Sequence, residues 1–188
     1  MSARFDRTTC GAAGHAGNAI IPLVTTHSRE RIGALLALLD EAFDRQSWHG
    51  TNLRGALRGV DVRTAAWRPR PGRHNIWELA VHAAYWKYAV RRRLTGEKRG
   101  SFALQGSNWF ARPFDAGGAQ AWQADVKLLV REHQHLRGVI EALSERDLDR
   151  RTGGRRWTRA ALIRGVASHD LYHAGQIQLL KRLRARRA

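Results

Sequence analysis

The sequence predicts an all-α fold, a bundle of four long helices, and three observations carry that expectation. Apolar residues recur at three- and four-residue spacing along four long stretches, the period of a helix with one face buried. No stretch alternates apolar and polar residues as a half-buried strand would, and no hairpin-turn dipeptide separates such stretches. Breakers fall between the helical stretches: Pro69, Pro71 and Gly72, then Gly96, then Gly153-Gly154. The chain contains no internal repeat.

The first predicted helix runs from about Ser28 to Arg45. Ile32, Leu35, Leu36, Leu39 and Phe43 form its apolar stripe, Ser28 is its expected cap, and Glu30 suits the positive end of its dipole. Leu53, Leu57 and Val60 suggest a short helix after Trp48-His49-Gly50. Trp67-Arg68-Pro69-Arg70-Pro71-Gly72 is a connection, because proline there is incompatible with a helix interior. The second long helix starts at Asn75, a capping residue, with Glu78 three residues on as in a capping box, and ends near Leu94 before Gly96. A long loop over 96–118 carries Phe102, Trp109, Phe110 and Phe114. Those aromatics predict that it packs down as a cover over a site. The third helix spans about Ala119 to Leu143, and the fourth runs from a Thr158 cap towards Arg184.

Composition bounds the rest. A chain of 188 residues with 43% hydrophobic content and seven Trp folds as one core-bearing domain, here assigned to 28–188 behind a flexible arm over 1–27. The single Cys10 excludes an internal disulfide framework and a cysteine-based zinc site. No apolar run approaches the ~20 residues that cross a bilayer. The patch Ala19 to Val24 is broken by Pro22 and makes a poor secretory signal. The expectation is a cytoplasmic protein with no membrane partner. The net charge of +17 is mostly arginine. Such a charge attracts nucleic acid or acidic ligands without sequence specificity. These arginines are spread along the chain rather than gathered in a recognition helix, save for Arg91-Arg92-Arg93 and the tail from Lys181 to Arg187. Basic residues there also complement helix C-termini.

His169 and His173 stand four residues apart in His169-Asp170-Leu171-Tyr172-His173-Ala174-Gly175-Gln176. One helical turn separates them, so both imidazoles leave one face and can converge on one metal ion. Catalytic zinc-type centres commonly take three protein ligands and keep a position open. His82, on the second long helix, is the candidate third ligand. Alone, any of these residues reads equally as a hydrogen-bonded core histidine. A buried pair on one face needs a partner for each ring, and a single ion supplies both. Glu78, one turn before His82, is a candidate base or further ligand, although capping explains it too; Gln176, one turn past His173, is a candidate for holding a ring nitrogen or a water. Asp170 points about 100° around the helix and is assigned to the surface or to an outer supporting role. Tyr85 and Tyr172 are candidate pocket donors, and packing accounts for them as well. His133 and His135 are two apart and cannot both face the site; His74 is expected at the surface.

Two segments resemble the DinB-like metalloprotein superfamily, which includes YfiT-type hydrolases and thiol transferases. They are Trp77-Glu78-Leu79-Ala80-Val81-His82 and His169-Asp170-Leu171-Tyr172-His173-Ala174-Gly175-Gln176-Ile177. The resemblance spans about Ser28 to Leu183. It implies a four-helix bundle with a crossover connection, a homodimer, and a divalent metal on His82, His169 and His173. Zinc or nickel is the expected ion, with manganese or iron as further choices. The implied activity is metal-dependent hydrolysis or transfer of a low-molecular-weight thiol to a small-molecule substrate. Two other classes remain open on the residues alone: a bundle that a metal merely stabilises, and a basic protein that binds nucleic acid.

Overall fold

The protein's structure, a computed structural model, describes residues 29–112, 118–152 and 156–186. The expected arm over 1–27, the Ser28 cap, Phe114 and Gly153-Gly154 lie outside these residues. The described chain is all-α, and its one β feature is an isolated bridge between Arg151 and Thr158. The helices are α1 (Glu30–Phe43), α2 (Leu53–Ala56), α3 (Val62–Ala66), α4 (Ile76–Thr95), α5 (Gly118–Glu141) and α6 (Arg159–Ala185). Among the long helices, α4 packs on α5 and α6, and α1 packs on those same two. The chain passes from α1 to α4 through α2 and α3, where one short helix over Leu53 to Val60 was expected. Asp61 explains the division: its side chain accepts from Thr64 N at 2.7 Å and caps a second helix that apolar spacing does not mark.

Local chemistry sets the ends of α4. The Asn75 side chain accepts from Glu78 N at 2.8 Å, and Gly96 ends the helix at φ +81°, where the lack of a Cβ removes the strain. The reciprocal half of a capping box is not made. The Glu78 carboxylate turns instead to Arg68 and to His74 Nδ1. Thr158 caps α6 as expected, accepting from Ala161 N at 3.2 Å. The basic tail has a structural use: Lys181 Nζ donates to the carbonyls of Ala56 and Arg58 at 3.1 and 2.9 Å and ties α2 to α6.

The interior divides along the helix axes. One apolar cluster joins the first turns of α4 and α5 to the last turns of α6 and to α2, and contains Trp77, Leu79, Trp122, Leu129 and Ile177. A second joins α1 to the far ends of α4 and α5 and the start of α6, through Leu39, Val90, Leu136, Ile140 and Ile163. Between them on each helix fall buried polar residues: His82 and Lys87 on α4, Glu132 and His133 on α5, Asp170 and His173 on α6. Lys87 and Asp170 are both fully buried and paired with each other, and Lys87 Nζ also lies 4.8 Å from the Phe43 ring centroid. Asp170 is therefore interior, not at the surface, because α4 brings a cation to the side of α6 that the carboxylate occupies. His133 stacks on Phe43 with centroids 3.8 Å apart, and His135 is exposed.

Removing one member of a buried ion pair strands the other, so Asp170→Ala is expected to cost about 3–5 kcal/mol in denaturant unfolding. The double variant Lys87→Met/Asp170→Leu should recover most of that loss; a double variant as unstable as the single one would refute the pairing account. Burial, followed by the nearby charges of Lys87, Arg137 and Arg54, depresses the His133 pKa to about 3. The unfolded chain then binds a proton at this residue below pH ~6.5 that the folded chain refuses, so stability falls with pH from ~6.5 down to about 3. His133→Met should remove this part of the acid sensitivity and lower the acid-unfolding midpoint. Coincident midpoints would show that His133 is free to ionise in the folded state.

Candidate metal centre

Helix α6 carries His169 and His173 one turn apart, and α4 carries His82 opposite them. The helices pack so that His82 Nε2 lies 3.1 Å from His169 Nε2, and His173 Nε2 lies 3.0 Å from the same atom. One nitrogen from each ring falls within 4.8 Å of the others. Four-coordinate nitrogen ligands about 2.0–2.1 Å from an ion would stand about 3.3 Å apart, and the two spacings to His169 Nε2 lie within a few tenths of an ångström of that.

The outer nitrogens fix which atoms face inward. His82 Nδ1 is 2.7 Å from the backbone carbonyl oxygen of Asn108, which only accepts, so Nδ1 carries the proton and Nε2 a lone pair. His173 Nδ1 donates to Gln176 Oε1 at 2.7 Å, with the same result. Two lone pairs then converge on His169 Nε2. A proton on that atom satisfies one and leaves the other buried and unmatched, whereas a cation accepts all three. Burial depresses His82 to about 4, against the opposing hydrogen bond to Asn108, and depresses His169 to about 3. Burial also lowers His173, against the opposing hydrogen bond to Gln176. The rings are thus neutral at pH 7, the form in which imidazole ligates a metal. Donor type, spacing and tautomer all fit a divalent ion.

The loop after α4 completes the centre. Asn108 stands at φ +64°, a conformation asparagine tolerates better than most residues, and this aims its carbonyl at His82 while its side chain accepts from Trp86 Nε1 at 3.0 Å. Trp109 stacks on His82 at 3.8 Å and on His74 at 3.5 Å, with interplanar angles of 10° and 5°. Phe110 is buried, and Arg112 reaches Asp125, which also accepts from Trp77 Nε1 at 2.7 Å. Within the described part of the loop most residues are exposed, but Phe110 is buried, Phe102 and Leu104 pack against the core, and Trp109 covers one face of His82.

The other candidates separate clearly. Gln176 holds a histidine ring. Glu78 is engaged by Arg68 and His74 and stands outside the three-histidine group. Exposed His74 carries a role that sequence reading missed, linking Glu78 to Trp109. Tyr172 is 64% exposed beside His173, and Tyr85 packs among Phe102, Phe110 and Trp86. Asn108 was missed because a loop carbonyl leaves no spacing signal; only the loop's aromatics pointed to that segment. His133 lies against Phe43 and Asp40, away from this cluster.

Among known proteins, no curated protein and no solved structure matches this chain. A family profile described as the DinB superfamily matches residues 44–177, which include α4, the covering loop and all three histidines. With that match over most of its length, the chain belongs to the DinB superfamily.

Proposed function

We propose that the protein is a metal-dependent enzyme, a hydrolase or a low-molecular-weight-thiol transferase, in which His82, His169 and His173 hold one divalent ion. The convergence of three imidazole nitrogens from two helices, two of them fixed in tautomer from behind, carries this reading. A divalent ion with an open position lowers the pKa of water towards ~7 or stabilises a thiolate, supplying a nucleophile at neutral pH.

This chain's residues prepare the site for such chemistry. The Asn108 carbonyl and Gln176 hold two rings in the tautomer that points a lone pair inward. Trp109 lies over His82 and keeps solvent from that side. Glu78, secured by Arg68 and His74, acts in this reading as a support for the Trp109 stack rather than as a base. Zinc and nickel suit three imidazoles better than magnesium or calcium, which prefer oxygen.

Elemental analysis of purified protein is expected to give about one divalent ion per chain. His82→Ala, His169→Ala and His173→Ala should each lose it. Gln176→Ala keeps all three ligands and should bind the metal about 10–100-fold more weakly. Turnover in hydrolysis and thiol-transfer screens should vanish on chelation and return with zinc or nickel. A protein that resists loading with metal would refute the reading at its base. A loaded protein with no metal-dependent turnover would assign the ion to folding alone.

A further inference from the structure

Two clefts border the three histidines, and they differ in chemistry. One, about 580 Å³, reaches the cluster through His173 alone and is bordered by Arg70 and Arg73. The other, also about 580 Å³, is lined by His82 and His169 together and walled by Trp86, Val90, Trp157 and Leu162. That volume lies within the roughly 300–1,000 Å³ usual for small-molecule sites. Burial orders the second cleft from floor to mouth: His82 is buried, His169 half-buried, Trp157 52% exposed and Arg164 exposed.

Arg93 and Arg164 also line this second cleft, beside its aromatic and aliphatic walls. Several arginines elsewhere are paired with carboxylates, as Arg68 is with Glu78, Arg91 with Glu97, Arg112 with Asp125 and Arg137 with Asp40. Among the described residues, no carboxylate pairs with Arg93 or Arg164. Arg93 lies instead over the Trp86 ring, 5.7 Å from its centroid. Two unneutralised guanidiniums on an otherwise aromatic and aliphatic cleft form a recognition pattern for one kind of molecule. Its apolar body leaves water against the walls, and its oxyanion is met by planar, multiply donating cations.

We propose that this cleft binds a small amphipathic organic anion, an aromatic or branched aliphatic body ending in a carboxylate. The body lies against Trp86, Val90, Trp157 and Leu162, the carboxylate meets Arg93 and Arg164, and the far end is presented to His82 and His169. Assigning this anion as the substrate rests on the metal-dependent reading above; its binding does not. Arg93 and Arg164 are the specificity-determining pair. Of the arginine run on α4, Arg91 is committed to Glu97 and Arg92 to the Glu97 carbonyl, so Arg93 alone serves the cleft.

Titration calorimetry with 4-phenylbutyrate and its neutral counterpart 4-phenylbutanamide tests this directly, with metal content measured on the same samples. The native protein is expected to prefer the anion. Arg93→Gln and Arg164→Gln should each weaken 4-phenylbutyrate about tenfold, the scale of one charge-assisted hydrogen bond, and leave the amide unchanged. Arg70→Gln, in the opposite cleft, should change neither. No binding of 4-phenylbutyrate at millimolar concentration, equal affinity for both compounds, or equal losses in all three variants would overturn the proposal; the last would mean diffuse attraction by the +17 chain. Metal present without arginine dependence would sink the anion cleft alone. Arginine-dependent binding to protein that takes up no metal would sink the metal reading alone.

Discussion

The structure is organised around one constraint: polar side chains buried midway along the bundle have to be satisfied from neighbouring helices. Apolar clusters close both ends of the interior, and between them each of α4, α5 and α6 buries polar groups. An unpaired buried polar group costs about 1–3 kcal/mol, and a charge costs more. Lys87 and Asp170 answer the requirement by pairing, which couples α4 to α6. The three histidines cannot answer it among themselves, because two of them present lone pairs to the third. Their arrangement makes sense when a cation joins them. The interactions that align α4 with α6 therefore also set the histidine spacing.

The loop between α4 and α5 turns this helix geometry into a site. Two helices alone would leave His82 free to rotate and open on one side. Asn108 fixes its tautomer, Trp109 covers its face, and Glu78 with His74 supports the tryptophan from behind. The shape of the histidine site then depends on a segment with little regular structure of its own, anchored by buried Phe110 and by the Arg112–Asp125 ion pair.

Much of this was legible in the sequence, for identifiable reasons. Helical period, the Asn75 and Thr158 caps and the Gly96 stop all act locally, so each appears in the chain where it appears in the fold. The His169–His173 pair was legible because one helical turn is a fixed distance. His82 needed a second helix and was reached by the expectation of a third ligand and by family resemblance. Features that depend on packing were not legible. The partner of Asp170 is 83 positions away on another helix, and spacing alone left that residue at the surface or in a supporting role. The capping-box reading of Glu78 failed because Arg68 and His74 offered its carboxylate stronger partners than a backbone N–H. Arg91, Arg92 and Arg93 looked alike in sequence, and only the placement of Glu97 separates them.

X-ray absorption at the metal edge of zinc-loaded protein tests the central claim most directly, because it reads the ligands themselves. The account predicts three imidazole nitrogens at about 2.0–2.1 Å, with the outer-ring scattering of histidine, completed by a light atom from water or buffer. Replacing His82 with alanine should remove one imidazole from that shell. An all-oxygen shell, or a shell unchanged in the His82 variant, would contradict it and place the ion somewhere other than between α4 and α6.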